Sequence, residues 1–203
     1  IKNPRSRRLR TGIQGGALSL SSARDGFVDL GANLFPSGAF SVQVWVNTTD
    51  TGPIIPVGYH TGGIVGGYWI GIGDVRDGCN VAPGKASFGM RGAPWCSGGS
   101  SVTVSDGQWH QLVGTYDGWQ SSIFVDGQLQ SRSPGGNALF TPVATTHFLI
   151  GGIMNGATPV STYVGLIDSV RLYDTALTAS EVGVLYATAA VPRASSATPG
   201  SAG

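Results

Sequence analysis

Residues 109–130, WHQLVGTYDGWQSSIFVDGQLQ, decide the fold. Three short runs in this segment alternate apolar with polar side chains, and the turn dipeptides Asp117-Gly118 and Asp126-Gly127 separate the runs. Alternation with a period of two is typical of a half-buried strand, and Asp-Gly between two such runs is a strong hairpin signal. The segment therefore predicts three consecutive antiparallel strands, a meander.

The same alternation extends along the chain. In FSVQVWV, residues 40–46, every second residue is apolar and is predicted to face the core, which leaves Gln43 and Trp45 on the opposite face. ALSLSS and GFVDLG, in residues 17–31, predict a hairpin near the start. About ten to twelve strands are expected at this spacing. TASEVGVLYATA, residues 178–189, is the only good helical stretch, with Thr178 or Ser180 as its cap.

Length and charge limit the function classes. The chain has 203 residues and 11% charged residues, which fits a single domain. Five of the 12 basic residues lie in the first ten, so the rest carries 7 basic and 11 acidic side chains and offers no basic face for nucleic acid. No apolar run is long enough for membrane insertion. We expect a basic flexible arm at 1–11, a folded domain at 12–188 and an Ala/Ser/Pro/Gly tail at 189–203, as part of a larger modular chain.

Cys79 and Cys96 flank a segment rich in Gly, Pro and Ser. A segment with so little core of its own gains from a covalent clamp, and we predict a disulfide between the two. A disulfide indicates an oxidising compartment, and so a secreted or cell-surface protein. The alternative is two separate buried thiols.

Three segments in order resemble one family. These are residues 17–46, which begin ALSLSS, residues 106–129, which begin DGQWHQ, and residues 165–186, which begin GLIDSVRLYD. Together they resemble the laminin-G-like, concanavalin A-like jelly roll. The resemblance implies an all-β fold in which two antiparallel sheets form a sandwich. The fold carries lectins, carbohydrate-binding modules, adhesins, glycan-cleaving enzymes and spacers, so function must be argued from the site.

The first candidate site is the outer face of the sheet that contains residues 40–46. Trp45 there can stack on a sugar ring while Gln43 reads hydroxyl groups. By the same alternation, Arg171 and Tyr173 face away from the core and are candidate rim residues. The alternatives are that a loop covers Trp45 and that the other two form a solvated edge.

The second candidate site is the loop rim, where four aromatic residues fall on expected loops. Loops carry recognition residues more often than the scaffold does. These ligand-binding candidates are Tyr59, His60, Trp95 and Trp119. The alternative for Trp95 is local packing that covers the disulfide.

The resemblance also implies a structural Ca²⁺ held by Asp25 and Asp168. Ca²⁺ takes carboxylate and carbonyl oxygens, and alternation places Asp168 on the side of Val170, toward the interior edge. An interior carboxylate is costly unless it is paired or metal-bound. The alternative is a hydrogen-bonded Asp168, or one paired with Arg24.

The sequence argues against an enzyme. It contains one glutamate, Glu181, no D-x-D, E-x-E or E-x-D pair of acids and no G-x-S-x-G motif. His110 is expected to be structural. We therefore predict a non-catalytic extracellular recognition module whose partner is a glycan. The alternative is an adhesin that binds a cell-surface or matrix protein, or a structural spacer.

Overall fold

The computed structural model describes residues 8–21, 26–32, 34, 38–60, 67–75, 79–91, 96–136, 146–156, 158–160 and 162–190. Within these ranges the chain forms fourteen strands and one helix. The strands are β1 (Arg8–Gly12), β2 (Gly15–Leu20), β3 (Val28–Asp29), β4 (Phe40–Asn47), β5 (Ile54–Tyr59), β6 (Gly67–Ile72), β7 (Ala86–Arg91), β8 (Trp109–Tyr116), β9 (Ser121–Val125), β10 (Gln128–Arg132), β11 (Phe148–Ile150), β12 (Ile153–Asn155), β13 (Thr158–Val160) and β14 (Gly165–Tyr173), and the helix is α1 (Ala179–Ala190).

Two antiparallel sheets make the sandwich, as predicted. The seven-stranded sheet has the order β1-β2-β14-β4-β8-β9-β10, and the five-stranded sheet has the order β3-β11-β5-β6-β7. The hairpin β12-β13 is separate. One large core of buried apolar side chains fills the space between the sheets. Among the described residues, no helix is both long and apolar enough to cross a membrane.

Strand β4 lies at the centre of the seven-stranded sheet and has the predicted inward face. The four apolar side chains at 40, 42, 44 and 46 are at most 1% exposed and belong to the core. Its partner β8 places Gly114 on the same inward face, opposite Val42. Gly114 has no side chain, and the ring of Phe88 from the other sheet occupies that space.

The predicted meander is confirmed, since β8, β9 and β10 are consecutive neighbours. Asp126 and Gly127 join β9 to β10 with φ angles of 51° and 77°. Positive φ at both central residues is the type I′ geometry that suits a two-residue hairpin, which explains why Asp-Gly occurs there. The disulfide is also confirmed: Cys79 and Cys96 are bonded, with Cα atoms 5.1 Å apart.

The N-terminal predictions need two corrections. Arg8–Gly12 forms β1 and pairs with β2, so the predicted flexible arm at 1–11 is part of a sheet from residue 8 onward. The predicted hairpin between residues 17 and 31 is wrong, because β2 pairs with β1 and β14 while β3 pairs with β11 in the other sheet. Residues 1–7 lie outside the described part of the chain.

Helix α1 begins at the predicted place and continues two residues beyond the domain boundary expected at 188. Thr178 Oγ1 accepts the main-chain N–H of Glu181, and Glu181 Oε2 accepts both the N–H and the hydroxyl of Thr178. This reciprocal capping box fixes the helix start. Val182 then packs against Val113 and Phe124, so α1 lies on the outer face of the seven-stranded sheet.

Candidate functional site

The outer face of the seven-stranded sheet is covered where the sequence predicts sugar binding. Gln43 is 1% exposed and Trp45 is 2% exposed. The ring of Tyr186 from α1 stacks on the indole of Trp45 at 5.7 Å between centroids, with 15° between the planes. The prediction that Gln43 and Trp45 contact a ligand is corrected: both do point outward, but both are buried, and Tyr186 of α1 covers Trp45.

Arg171 and Tyr173 lie on the same outer face, at its margin. Arg171 is exposed, and its Nη2 donates to Gln14 Oε1 at 2.8 Å. Tyr173 is half-buried, and its hydroxyl donates to Gln43 Oε1 at 3.2 Å. Both side chains therefore bond to neighbouring glutamines, and their predicted role in binding stays a prediction.

The outer face of the five-stranded sheet is centred on Trp69, which sequence analysis missed. Trp69 is 1% exposed and lies between Gly58 and Gly89 of the neighbouring strands. A methyl group on Gly89 would fall 2.3 Å from Trp69 Cε2, so the indole lies close against that strand. Ile153 of β12 packs against this cluster, and the indole N–H donates to Asp74.

A signal for Trp69 exists in the sequence. GYWIGI, residues 67–72, alternates apolar core residues with Gly67, Trp69 and Gly71, so Trp69 must point outward beside glycines. Large aromatic side chains beside glycines in a strand can lie flat against the sheet, since no Cβ obstructs them. The cluster is nevertheless closed to solvent, because Asp74 is 0% exposed.

Tyr59 and His60 do not lie on an exposed rim. Tyr59 ends β5, is 1% exposed, and its hydroxyl donates to Ala32 O. His60 is 8% exposed and packs edge-on against Trp69. The prediction that these two bind a ligand is corrected, because β5 continues as far as Tyr59 and keeps both side chains within the packed sheet.

Trp119 lies on the surface, between β8 and β9. It is 58% exposed and is the one aromatic residue in the described ranges with an exposed side chain. The pyrrole part of its indole lies over Gly135, where a methyl group would fall 2.2 Å from Nε1. One part of the ring system is therefore supported by the chain while the rest is open to solvent.

The main chain around Trp119 is fixed by hydrogen bonds. Asp117 Oδ1 accepts the N–H groups of Trp119 at 2.8 Å and of Gln120 at 2.7 Å. The carbonyl of Trp119 accepts the N–H of Gly136 at 2.8 Å. An aromatic ring held on an ordered turn is a ready surface for stacking, since little freedom is lost on binding.

Asp168 does not face the interior. A bulge in β14 between Asp168 and Arg171 breaks the alternation, and Asp168 lies opposite Trp45 on the outer face. Asp168 Oδ2 accepts the N–H of Gln14 at 2.9 Å, and Oδ1 accepts the hydroxyl of Ser169 at 3.2 Å. This is the hydrogen-bonded alternative for Asp168, with the aspartate anchoring the β1-β2 turn.

A metal site is not assembled in the described residues, which contain no group of three or more His, Cys, Asp or Glu side chains that could hold an ion. Asp25, the other predicted calcium ligand, lies outside the described residues, as do Arg24 and the predicted ligand-binding Trp95. Calcium binding by Asp25 and Asp168 therefore stays a prediction.

His110 is structural, as expected. Its Nδ1 lies 2.7 Å from Asp126 Oδ2 and its Nε2 lies 3.1 Å from Asp106 Oδ1, so both ring nitrogens are occupied. The hydrogen bond to Asp126, with smaller contributions from its charge and from Asp106, raises the pKa of His110 above the ordinary 6.5. An imidazole held between two aspartates has no free nitrogen to act as a general base.

Comparison with protein families finds one match that spans most of the chain. The Laminin_G_3 family, described as the concanavalin A-like lectin/glucanases superfamily, matches residues 22–183. A comparison with curated proteins finds no match in sequence.

Solved structures with the same fold include several sugar-binding domains. Domain 4 of an extracellular GH43 arabinanase from Geobacillus stearothermophilus, in complex with arabinotriose, is similar with a TM-score of 0.66 and 23% identity, over 89% of this chain and 81% of that chain. The CBM40 of a Ruminococcus gnavus IT-sialidase, bound to α2,3-sialyllactose, has a TM-score of 0.61 and 14% identity, over 89% and 97%. A heptameric SAP-like pentraxin from Limulus polyphemus has a TM-score of 0.55 and 12% identity, over 79% and 80%.

Proposed function

Because this chain belongs to the concanavalin A-like lectin/glucanase superfamily, we propose that it is a non-catalytic carbohydrate-binding module that contacts its glycan through Trp119. The observation that carries the proposal is the exposure of Trp119 on an ordered turn, while Trp45 and Trp69 on the outer faces of the two sheets are buried and Trp109 at the start of β8 is half-buried. The glycan is then bound at the rim of the sandwich and not on a sheet face.

The chemistry suits a sugar. The C–H face of a pyranose or furanose ring is apolar and stacks on an aromatic ring, while its hydroxyl groups need donors and acceptors at the edge. Trp119 supplies the ring, and Gln120 beside it carries an amide that donates to Ser133 O at 3.2 Å. The arabinanase domain and the CBM40 with the same fold were solved with arabinotriose and sialyllactose, which supports a glycan as the ligand class.

Several acidic side chains are engaged in structural hydrogen bonds, which agrees with a binding role without catalysis. Glu181, the one glutamate, is engaged in the capping box of α1. Asp106 and Asp126 both bond to His110, and Asp117 fixes the turn that carries Trp119. These carboxylates therefore have structural partners, whereas glycoside hydrolysis needs an acid and a nucleophile or base on either side of the scissile bond.

The direct test is a glycan array, followed by calorimetry on each ligand found. We compare the wild-type protein with Trp119→Ala, with Trp119→Phe, which keeps an aromatic ring, and with Leu129→Ala, which removes an exposed apolar side chain elsewhere. We expect Trp119→Ala to weaken binding about tenfold or more, a loss of about 1.4 kcal/mol, and Leu129→Ala to leave it unchanged. If Trp119→Ala binds as the wild type does, the assignment of Trp119 is wrong; a silent array for the wild type favours the protein-binding or spacer alternative.

Calcium binding and an extracellular location complete the proposal. The Cys79–Cys96 disulfide supports an oxidising compartment. For calcium, thermal unfolding is measured with EDTA and with added CaCl₂, for the wild type and Asp168→Ala. An ion that binds only the native state raises the melting temperature, so we expect a rise for the wild type and none for the variant. Equal curves with and without calcium in the wild type reject the site.

A further inference from the structure

Asp117 anchors the turn that carries Trp119 with one of its carboxylate oxygens. Its Oδ1 accepts the main-chain N–H of Trp119 at 2.8 Å and that of Gln120 at 2.7 Å. Asp117 is exposed, and within the described part of the chain no group donates to its other oxygen, Oδ2. The turn is therefore held by a carboxylate whose negative charge has no cationic partner among these residues.

The negative charge of Asp117 is close to the aromatic ring. Because Oδ1 lies 2.8 Å from the main-chain nitrogen of Trp119, the carboxylate is separated from the indole by little more than the length of the tryptophan side chain. At about 7 Å in water, a unit charge changes the local concentration of a univalent ion about two- to threefold. The Debye length at 0.1 M salt is about 10 Å, so this effect grows as salt is removed.

The turn provides no positive charge to offset Asp117. Residues 117–120 and 133–136, the two segments that hold the indole, contain no Lys or Arg. Arg132 is the one Lys or Arg of β8, β9 and β10, and it lies in the sheet, whereas Asp117 bonds to Trp119 itself. Carboxylate and phosphate groups are usually bound through charge-assisted hydrogen bonds from Arg or Lys. An acidic sugar at Trp119 therefore meets a carboxylate and no cation in these two segments.

The position of the indole leaves its apolar part for a ligand. A methyl group on Gly135 would fall 2.2 Å from Nε1 and 2.8 Å from Cε2, so the pyrrole part of the ring lies against this glycine. The carbonyl of Trp119 accepts the N–H of Gly136, which holds that segment beside the ring. The six-membered ring is then the stacking surface, and selectivity for charge must come from neighbouring groups. Asp117 is the charged group in the two segments that hold the indole.

We propose that Asp117 is a specificity-determining residue of the Trp119 site, which makes the site select neutral glycans over glycans that carry a carboxylate, sulfate or phosphate group. The inference rests on the proposed function, because it assigns the ligand class of the same site. Repulsion by Asp117 disfavours an anionic ligand, while the stacking of a neutral sugar ring on Trp119 is retained.

The first test needs no glycan. Quenching of Trp119 fluorescence by iodide, an anion, is compared with quenching by neutral acrylamide, and the Trp119→Phe protein gives the signal of the other tryptophans for subtraction. Asp117→Asn keeps an oxygen that can accept the two N–H groups and removes the charge. We expect Asp117→Asn to raise iodide quenching of Trp119 about twofold at low salt and to leave acrylamide quenching unchanged.

Asp29→Asn is the matched control for the loss of one negative charge. Asp29 is exposed on β3, an edge strand of the five-stranded sheet, whereas Trp119 follows β8 of the seven-stranded sheet. We expect Asp29→Asn to leave the iodide quenching of Trp119 unchanged. Added KCl is expected to reduce the difference between the wild type and Asp117→Asn, because salt screens the charge.

The second test measures specificity on an array of matched glycan pairs. The pairs include methyl-esterified with free trigalacturonate and lactose with α2,3-sialyllactose. We expect the wild type to prefer the neutral member of each pair that it binds, and Asp117→Asn to reduce that preference about twofold. Asp117→Ala also removes the hydrogen bonds that hold the turn, so we expect it to weaken the binding of both members.

The proposal is overturned if iodide quenching of Trp119 is the same in the wild type and Asp117→Asn, or if the wild type binds the acidic member of a pair as tightly as the neutral one. These results leave the proposed function intact when Trp119→Ala still loses glycan binding. A silent array rejects the proposed function and this specificity together, whatever the quenching shows.

Discussion

Gly114→Ala tests how closely the two sheets approach. Gly114 faces inward from β8, the neighbour of the central strand β4, and a methyl group there would fall 2.3 Å from Cδ2 and 2.5 Å from Cγ of Phe88. Phe88 is 0% exposed and cannot move aside without disturbing the core. Overpacking a dense core costs about 1–3 kcal/mol, which lowers the melting temperature of a domain of this size by about 2–12 °C.

The assay is thermal and urea unfolding of Gly114→Ala beside Gly38→Ala, because a methyl group at Gly38 meets nothing within 4 Å. We expect Gly38→Ala to unfold like the wild type and Gly114→Ala to be clearly less stable. In a Phe88→Leu background the cost of Gly114→Ala is expected to shrink, since the smaller side chain leaves room. If Gly114→Ala is as stable as Gly38→Ala, Phe88 does not pack against β8 as described, and the packing described between the two sheets is wrong.

Two further predictions concern stability. His110→Gln is expected to destabilise the protein most at acidic pH. Because Asp126 raises the pKa of His110 in the folded state, the stabilisation by His110 is complete below pH 6.5 and is lost as the pH rises through the raised pKa. Urea unfolding at several pH values must therefore show that the difference in unfolding free energy between the two proteins decreases as the pH rises. Cys79→Ser with Cys96→Ser is expected to lower the free energy of unfolding by about 3 kcal/mol, because the disulfide closes a loop with a sequence separation of 17; equal urea midpoints for oxidised wild type and the double variant contradict this.

The architecture can be predicted from the sequence because the alternation of apolar and polar residues in a strand depends only on neighbouring residues. The inward face of β4, the turn at Asp126-Gly127 and the cap at Thr178 each depend on a few neighbouring residues, and all three are found where the pattern places them. What alternation does not reveal is what lies on the outward face. Trp45 points outward as predicted, yet α1 returns from a distant part of the chain to cover it.

The other errors have equally physical causes. The alternation predicts that Asp168 faces the interior. A bulge of β14 between Asp168 and Arg171 puts Asp168 on the outer face instead, and no local residue pattern predicts this bulge. β2 and β3 are close in sequence but lie in different sheets, since a jelly roll pairs strands that are far apart along the chain. Trp119 was placed on the surface because Asp117-Gly118 is a turn signal that depends only on local residues.

Hydroxyl-radical footprinting of each tryptophan, read by mass spectrometry, tests the central claim most directly. Without ligand, Trp119 is expected to oxidise fast, whereas Trp45 and Trp69 are expected to oxidise slowly, since they are 58%, 2% and 1% exposed. With a glycan found on the array, oxidation of Trp119 is expected to fall while that of Trp69 stays the same. Fast oxidation of Trp69 in the free protein, or protection of Trp69 with Trp119 unchanged, would place recognition on the sheet face and contradict the account.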